Sequence, residues 1–148
     1  MLSRSFLLMI VILFVSISGI SQSSSEKFTV IGNSITMNAM SLSELKDIFL
    51  GEKQVDPSNN TIVVVLPTTD FQGAEEVARL ISGSSLNSFR RYWLSIVFQG
   101  RANPPIYFNS NQMMIDFVRE NPSSIAILYD YTGSQNITTI QINSFEKE

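Results

Sequence analysis

One stretch, Ser85 to Arg101 (SLNSFRRYWLSIVFQGR), constrains the fold more than any other and holds the only tryptophan. Wound as a helix, it sets Leu86, Phe89, Tyr92, Trp93, Ile96 and Val97 on one broad face. Asn87, Arg91, Ser95 and Gln99 fall on the opposite one. Ser85 supplies an N-cap hydroxyl, and Gly100 stands where a helix closes in a left-handed turn. Burying each large apolar group is worth ~1.5–3 kcal/mol, so neighbouring elements are expected to pack around this helix.

The flanking sequence alternates strand and helix signals. Phe28–Gly32 reads as a short β-branched strand, and 37–40 reads as loop. Ser41-Leu-Ser-Glu44 has capping-box spacing ahead of a helix whose Leu42, Leu45, Ile48 and Phe49 share a face, ended by Gly51. Residues 56–60 (DPSNN) are turn chemistry. Thr61–Leu66 (TIVVVL) is a continuous apolar run, as in a strand covered on both faces. Pro67–Gly73 then leads into a helix carrying Ala74, Val77, Leu80 and Ile81, terminated by Gly83. After Pro104-Pro105, Ile106–Phe108 is a short strand, and Asn109 or Ser110 caps a helix with Met113, Met114, Phe117 and Val118 on one face. Asn121-Pro122 stops it. Ser124–Tyr129 is a second covered strand, and Ile137–Ile142 alternates like an edge strand. Strands separated by such helices need crossover connections. The expected fold is therefore α/β: a mixed, largely parallel sheet of about five strands flanked by four helices.

Composition narrows the chemistry. The chain has 148 residues, 44% of them hydrophobic, with a net charge of −3 and neither Cys nor His. That length suits one domain with a real core. The acidic balance argues against nucleic acid, whose phosphates call for a basic excess. Without Cys or His there are no thiol nucleophiles, no Ser-His triads and no zinc sites built on those ligands. No cofactor or metal is implied.

The N-terminal segment has a different character. Arg4 precedes the ten-residue apolar run Phe6–Val15, and small residues follow. This is the order of a secretory signal peptide over residues 1–22, too short in its apolar part for a lasting membrane anchor. Cleavage near Ser21 or Gln22 would leave a spacer over 23–27 and one domain over 28–145. A Cys-free exported chain suits a bacterial periplasm.

In open α/β sheets ligands sit beyond the carboxyl ends of the strands, where loops open helices. The loop that fits is Thr68–Gly73. Its helix N-terminus offers unpaired amides and positive partial charge, and the Thr68 and Thr69 hydroxyls add donors for an anion. The plainer alternative is that Thr69 or Asp70 caps its own helix. Asp70 with Glu75 or Glu76 could pair as two carboxylates, but acids beside a helix start are ordinarily dipole partners, so no enzyme is expected.

Several segments resemble the phosphate-binding proteins that serve ABC transporters. Leu45-Lys-Asp-Ile-Phe-Leu-Gly51 is similar to their L-x-x-I-F-L-G-K stretch. Ile62–Asp70, Tyr92-Trp93 with Phe98-Gln-Gly100, and Val118–Ile127 resemble further segments in the same order. The resemblance implies one lobe of the type 2 periplasmic-binding fold. It also implies phosphate or another small oxyanion as ligand, and a protein partner or second lobe in the periplasm. The departures fall on the ligand loop, which in those receptors reads R-S-D-G-S-G-T, with its Arg, second Ser, Gly and Thr on the phosphate. Here Thr68 stands for the Arg, Gln72 for the ligating Ser and Ala74 for the Thr; Gly73 is the contact kept, beside Thr69 and Asp70. Each lost charge-assisted bond is worth ~1.5–3 kcal/mol, so binding by this lobe is expected to be weak. Arg101, just past the central helix, is a candidate to supply a positive charge near the loop; the plainer alternative is a solvated residue after a helix C-cap. An interaction or sensing protein that keeps the fold without a ligand is the competing expectation.

Overall fold

The computed structural model describes residues 27–35, 39–133, 138 and 140–143. Along the chain run β1 (Phe28–Gly32), β2 (Ala39–Ser41), α1 (Leu42–Phe49), β3 (Val63–Pro67), α2 (Ala74–Ser82) and α3 (Leu86–Phe98). There follow β4 (Ile106–Phe108), α4 (Asn111–Glu120), β5 (Ser124–Tyr129) and β6 (Gln141–Asn143). Four strands form one sheet in the order β1-β5-β3-β4. β3 runs parallel to both β5 and β4, with Val64 opposite Ile125 and Leu66 opposite Tyr107, while β1 is antiparallel to β5. The fold class is the expected one, a mixed and largely parallel sheet with flanking helices.

The alternating pleat of the covered strands divides the core. Ile125 and Ile127 of β5, with Val64 and Leu66 of β3, point toward α1, α2 and α3 and meet Phe49, Val77, Phe89 and Trp93. Ala126 and Leu128, with Val65 and Ile31, point to the other side and meet Met114, Ile115 and Val118 of α4. Three helices cover one face and one covers the other. Both covered strands are continuous apolar runs because neither face meets water.

The helix starts follow the sequence signals. Ser41 Oγ accepts from Glu44 N, Ser85 Oγ from Ser88 N and Ser110 Oγ from Met113 N. The DPSNN turn closes on Asp56, whose carboxylate accepts from the amides of Ser58 (2.9 Å) and Asn60 (2.8 Å) and from Asn60 Nδ2 (3.1 Å).

Some expectations need correction. Residues 39–41 form β2 where loop was expected, because they find a parallel partner in β6. The segment expected as one edge strand is shared between two partners. Gly32 N donates to Thr138 O (3.2 Å) and Ile140 N to Val30 O (3.0 Å) along the outer edge of β1, and β6 then pairs with β2 in a separate two-stranded sheet. Met113 is exposed on α4, and Ile115 takes its place in the core. The expected signal peptide and nearly all of the spacer lie outside the described residues. Among the described residues no helix is long and apolar enough to cross a membrane.

Candidate binding site at the carboxyl ends of β3 and β4

β3 ends at Pro67, and Thr68 stays tied to the neighbouring strand by its amide, which donates to Phe108 O (2.9 Å). Two tight turns follow: Phe71 N donates to Thr68 O and Ala74 N to Phe71 O, each at 3.1 Å. Gly73 takes the N-cap position of α2 with φ 103°, and no side chain caps the helix. The expectation that Thr69 or Asp70 caps it is therefore not met. The Gln72 and Gly73 amides have no hydrogen-bond partner among the described residues, whereas the Ala74 amide is already engaged. Ala74 is also buried, while Thr69, Asp70 and Gln72 are exposed.

The Thr68 hydroxyl, and then its own backbone amide, hold the Asp70 carboxyl below the ordinary carboxylate range. Thr68 Oγ1 is nonetheless buried without a partner in hydrogen-bond geometry, so we read its contact with Asp70 as electrostatic rather than as a bond. Glu75 is committed elsewhere. Its carboxylate accepts from Leu86 N (2.9 Å) and Arg79 Nε (3.0 Å), and these bonds lower its pKa, the Leu86 amide most. It thus fastens α2 to the start of α3 and is not one half of a reacting carboxylate pair.

Gly73 has a packing reason to be glycine. A Cβ there would lie 2.3 Å from both Cγ and Cδ1 of Tyr129, at a positive φ that other residues adopt at a cost. Tyr129 closes β5, its ring set edge-on to Phe28, and Asn111 Nδ2 donates to its carbonyl (2.8 Å). The ring therefore lies directly over the start of α2.

Beside the loop, a groove of about 280 Å³ opens between β3, β4 and α3. Thr68, Thr69 and Ala74 form one wall, and Phe89, Trp93, Leu94 and Val97 of α3 form another. Arg90 is the charged residue of its lining. Arg101, nominated from sequence, is placed elsewhere: its carbonyl accepts from Gln54 Nε2 (2.7 Å), its amide donates to Ile96 O, and its charge acts on Tyr92. Sequence reasoning missed Arg90 and Leu94. Their signal was present: 90, 94 and 97 follow helical spacing and border the apolar face on which Trp93 lies, but a charged residue and an exposed leucine at its edge do not stand out from periodicity.

No protein-family profile matches the sequence, and no curated protein sequence does. Among solved structures, the chain is similar to an ABC-type phosphate transport receptor from Vibrio cholerae, with a TM-score of 0.50 and 17% identity. The match covers 78% of this chain and 46% of the receptor, so the chain spans about half of that protein's length. The likeness is one of fold.

The segments from which a phosphate-binding protein was expected have a packing explanation within this chain. Tyr92 Oη donates to Leu50 O at 2.7 Å, joining the end of α1 to α3. Gly51, at φ 71°, sits in a tight space: an added Cβ would stand 3.0 Å from Trp93 Cη2 and 3.1 Å from Ile96 Cδ1. Leu50-Gly51 and Tyr92-Trp93 are thus two halves of one packed junction. Their presence together reflects folding and says nothing of a ligand.

Proposed function

We propose that the chain is a binding module built on one receptor-like lobe, exported by its N-terminal segment, which takes a small oxyanion such as phosphate only weakly at the 68–74 loop. The observation that carries this reading is the start of α2. No side chain caps it, and the Gln72 and Gly73 amides stand without partners among the described residues, an arrangement that favours an anion through direct donors and the helix dipole. The same loop limits the affinity. It holds no arginine, its Ala74 amide is spent, and the Tyr129 ring stands over Gly73. The reading includes no catalytic step and no metal or cofactor.

Calorimetry with the mature protein tests it. Phosphate is expected to bind no tighter than ~1 mM, about 4 kcal/mol, and Thr68→Arg should strengthen it tenfold or more by adding one charge-assisted contact. Micromolar binding by the unaltered chain would show that donors outside this loop matter. No response in either protein would leave the loop as a helix start alone. The second reading, an interaction protein that keeps the fold without a ligand, would then stand. Its support is the exposure of Leu94 (56%) and Phe98 (87%) on α3.

A further inference from the structure

We propose that the groove between β3, β4 and α3 binds a small amphiphilic carboxylate, a free aliphatic acid of medium chain length, with its tail on the apolar wall and its carboxylate at Arg90. This goes beyond the oxyanion reading, since it concerns the groove rather than the amides of α2.

Place and size come first. β3 ends at the groove, where open α/β sheets hold their ligands, and the parallel β4 runs alongside with Pro104 and Pro105 before it and Tyr107 within it in the lining. Its volume, about 280 Å³, lies at the low end of small-molecule pockets, which begin at roughly 300 Å³. That suits a short alkyl chain and is too little for a helix of a partner. Strand addition is poorly served as well, because β4 is three residues long and follows two prolines.

The chemistry of the lining selects the ligand class. Leu66, Val77, Phe89, Val97 and Pro105 make an apolar bed, and Leu94 on its wall is more than half exposed, as a side chain awaiting cover would be. The one charge of the lining is positive, although the chain as a whole carries −3. Arg90 has no carboxylate partner among the described residues. It stands near Tyr107, whose phenol pKa burial raises while the guanidinium pulls it down. Two wall residues also hold buried polar atoms without partners, Thr68 Oγ1 and Trp93 Nε1. A ligand with an anionic acceptor at one end answers Arg90; a hydrocarbon does not.

Trp93 is the sole tryptophan and lines the groove, so its fluorescence reports occupancy. Octanoate below its micellar concentration, titrated into the full mature chain, should shift Trp93 emission saturably. Octylamine should bind at least tenfold more weakly, and acetate should do nothing. Leu94→Glu and Arg90→Glu, both at exposed positions, should keep the thermal midpoint while weakening octanoate at least tenfold. Arg90→Glu should also reverse the preference toward octylamine. Absence of a saturable shift, or a shift that neither substitution alters, overturns the proposal. So does a concentration-dependent dimer in sedimentation that Leu94→Glu abolishes while octanoate has no effect; the groove would then belong to a second copy. Phosphate calorimetry reads the 68–74 loop separately, so the two readings fail independently.

Discussion

The α1–α3 junction and the β3–α2 loop carry two of the segments from which a phosphate-binding receptor was expected, and they differ in what holds their residues in place. At the junction those residues pack against one another. Tyr92 bonds Leu50 O, and Trp93 fills the space that Gly51 leaves open. At the loop Thr68, Gln72 and Ala74 are the residues that depart from the expected ligand motif. The residue that remains, Gly73, is also held by packing, because Tyr129 leaves no room for a side chain. The residues that hold the fold can thus be told apart from those proposed to meet a ligand.

The sharpest way to break that comparison is to remove the ring at the junction. Trp93 is 2% exposed and meets core residues from two other helices, so Trp93→Ala should cost about 3–5 kcal/mol. Chemical denaturation should show the lower midpoint. An unchanged midpoint would mean that α3 does not organise the core.

Gly73→Ala comes next. It combines a clash within 3 Å of Tyr129 with a side chain at positive φ, and we expect a loss of about 2–4 kcal/mol. In a Tyr129→Ala background the clash disappears and only the backbone cost remains. If the cost is the same in both backgrounds, the ring does not explain the glycine.

Tyr92→Phe tests the junction more gently. It leaves Leu50 O without its partner and should cost about 1 kcal/mol, with the fold intact.

How much of this was legible in the sequence follows from the same separation. Periodicity found the four helices of the described residues, because each presents a buried stripe such as Leu45, Ile48 and Phe49 in α1. It found β3 and β5 because a strand covered on both faces is apolar throughout. It missed β2, whose three residues are strand only because β6 lies beside them, a long-range pairing with no local mark. At the site, the loop was legible as the turn between a covered strand and a helix. Its contents were less so. The clash that fixes Gly73 comes from Tyr129, fifty-six positions later in the chain by subtraction of their numbers, and only the folded sheet brings them together. Arg101 was chosen for nearness in sequence to the end of α3. Arg90, eleven positions earlier and within the helix itself, is the arginine that reaches the groove.

The smallest effect concerns acid, and it tests whether a turn far from both regions behaves as an independent support. Asp56 is almost fully buried, and the Asn60 amide, followed by the Asn60 side chain and the Ser58 amide, lowers its pKa against the opposing effect of burial. A carboxyl whose folded pKa lies below its unfolded value of about 3.8 stabilises the fold fully above that value. The contribution fades as pH falls through the folded pKa, because protonation removes the charge that the amides favour. Thermal midpoints should therefore begin to drop as pH falls below about 4 and continue to drop through the folded pKa, and this acid range is the window to measure. Asp56→Ala should lower the midpoint at pH 7 and flatten the profile over that window. It should leave phosphate and octanoate binding as they were, since neither the loop nor the groove contains Asp56. If the profile keeps its full slope, the acid sensitivity lies with other carboxylates, Glu75 first, whose bonds to Leu86 N and Arg79 Nε hold α2 against α3. The slope would then belong to the helix pair that forms the groove, and acid should weaken octanoate binding along with the fold.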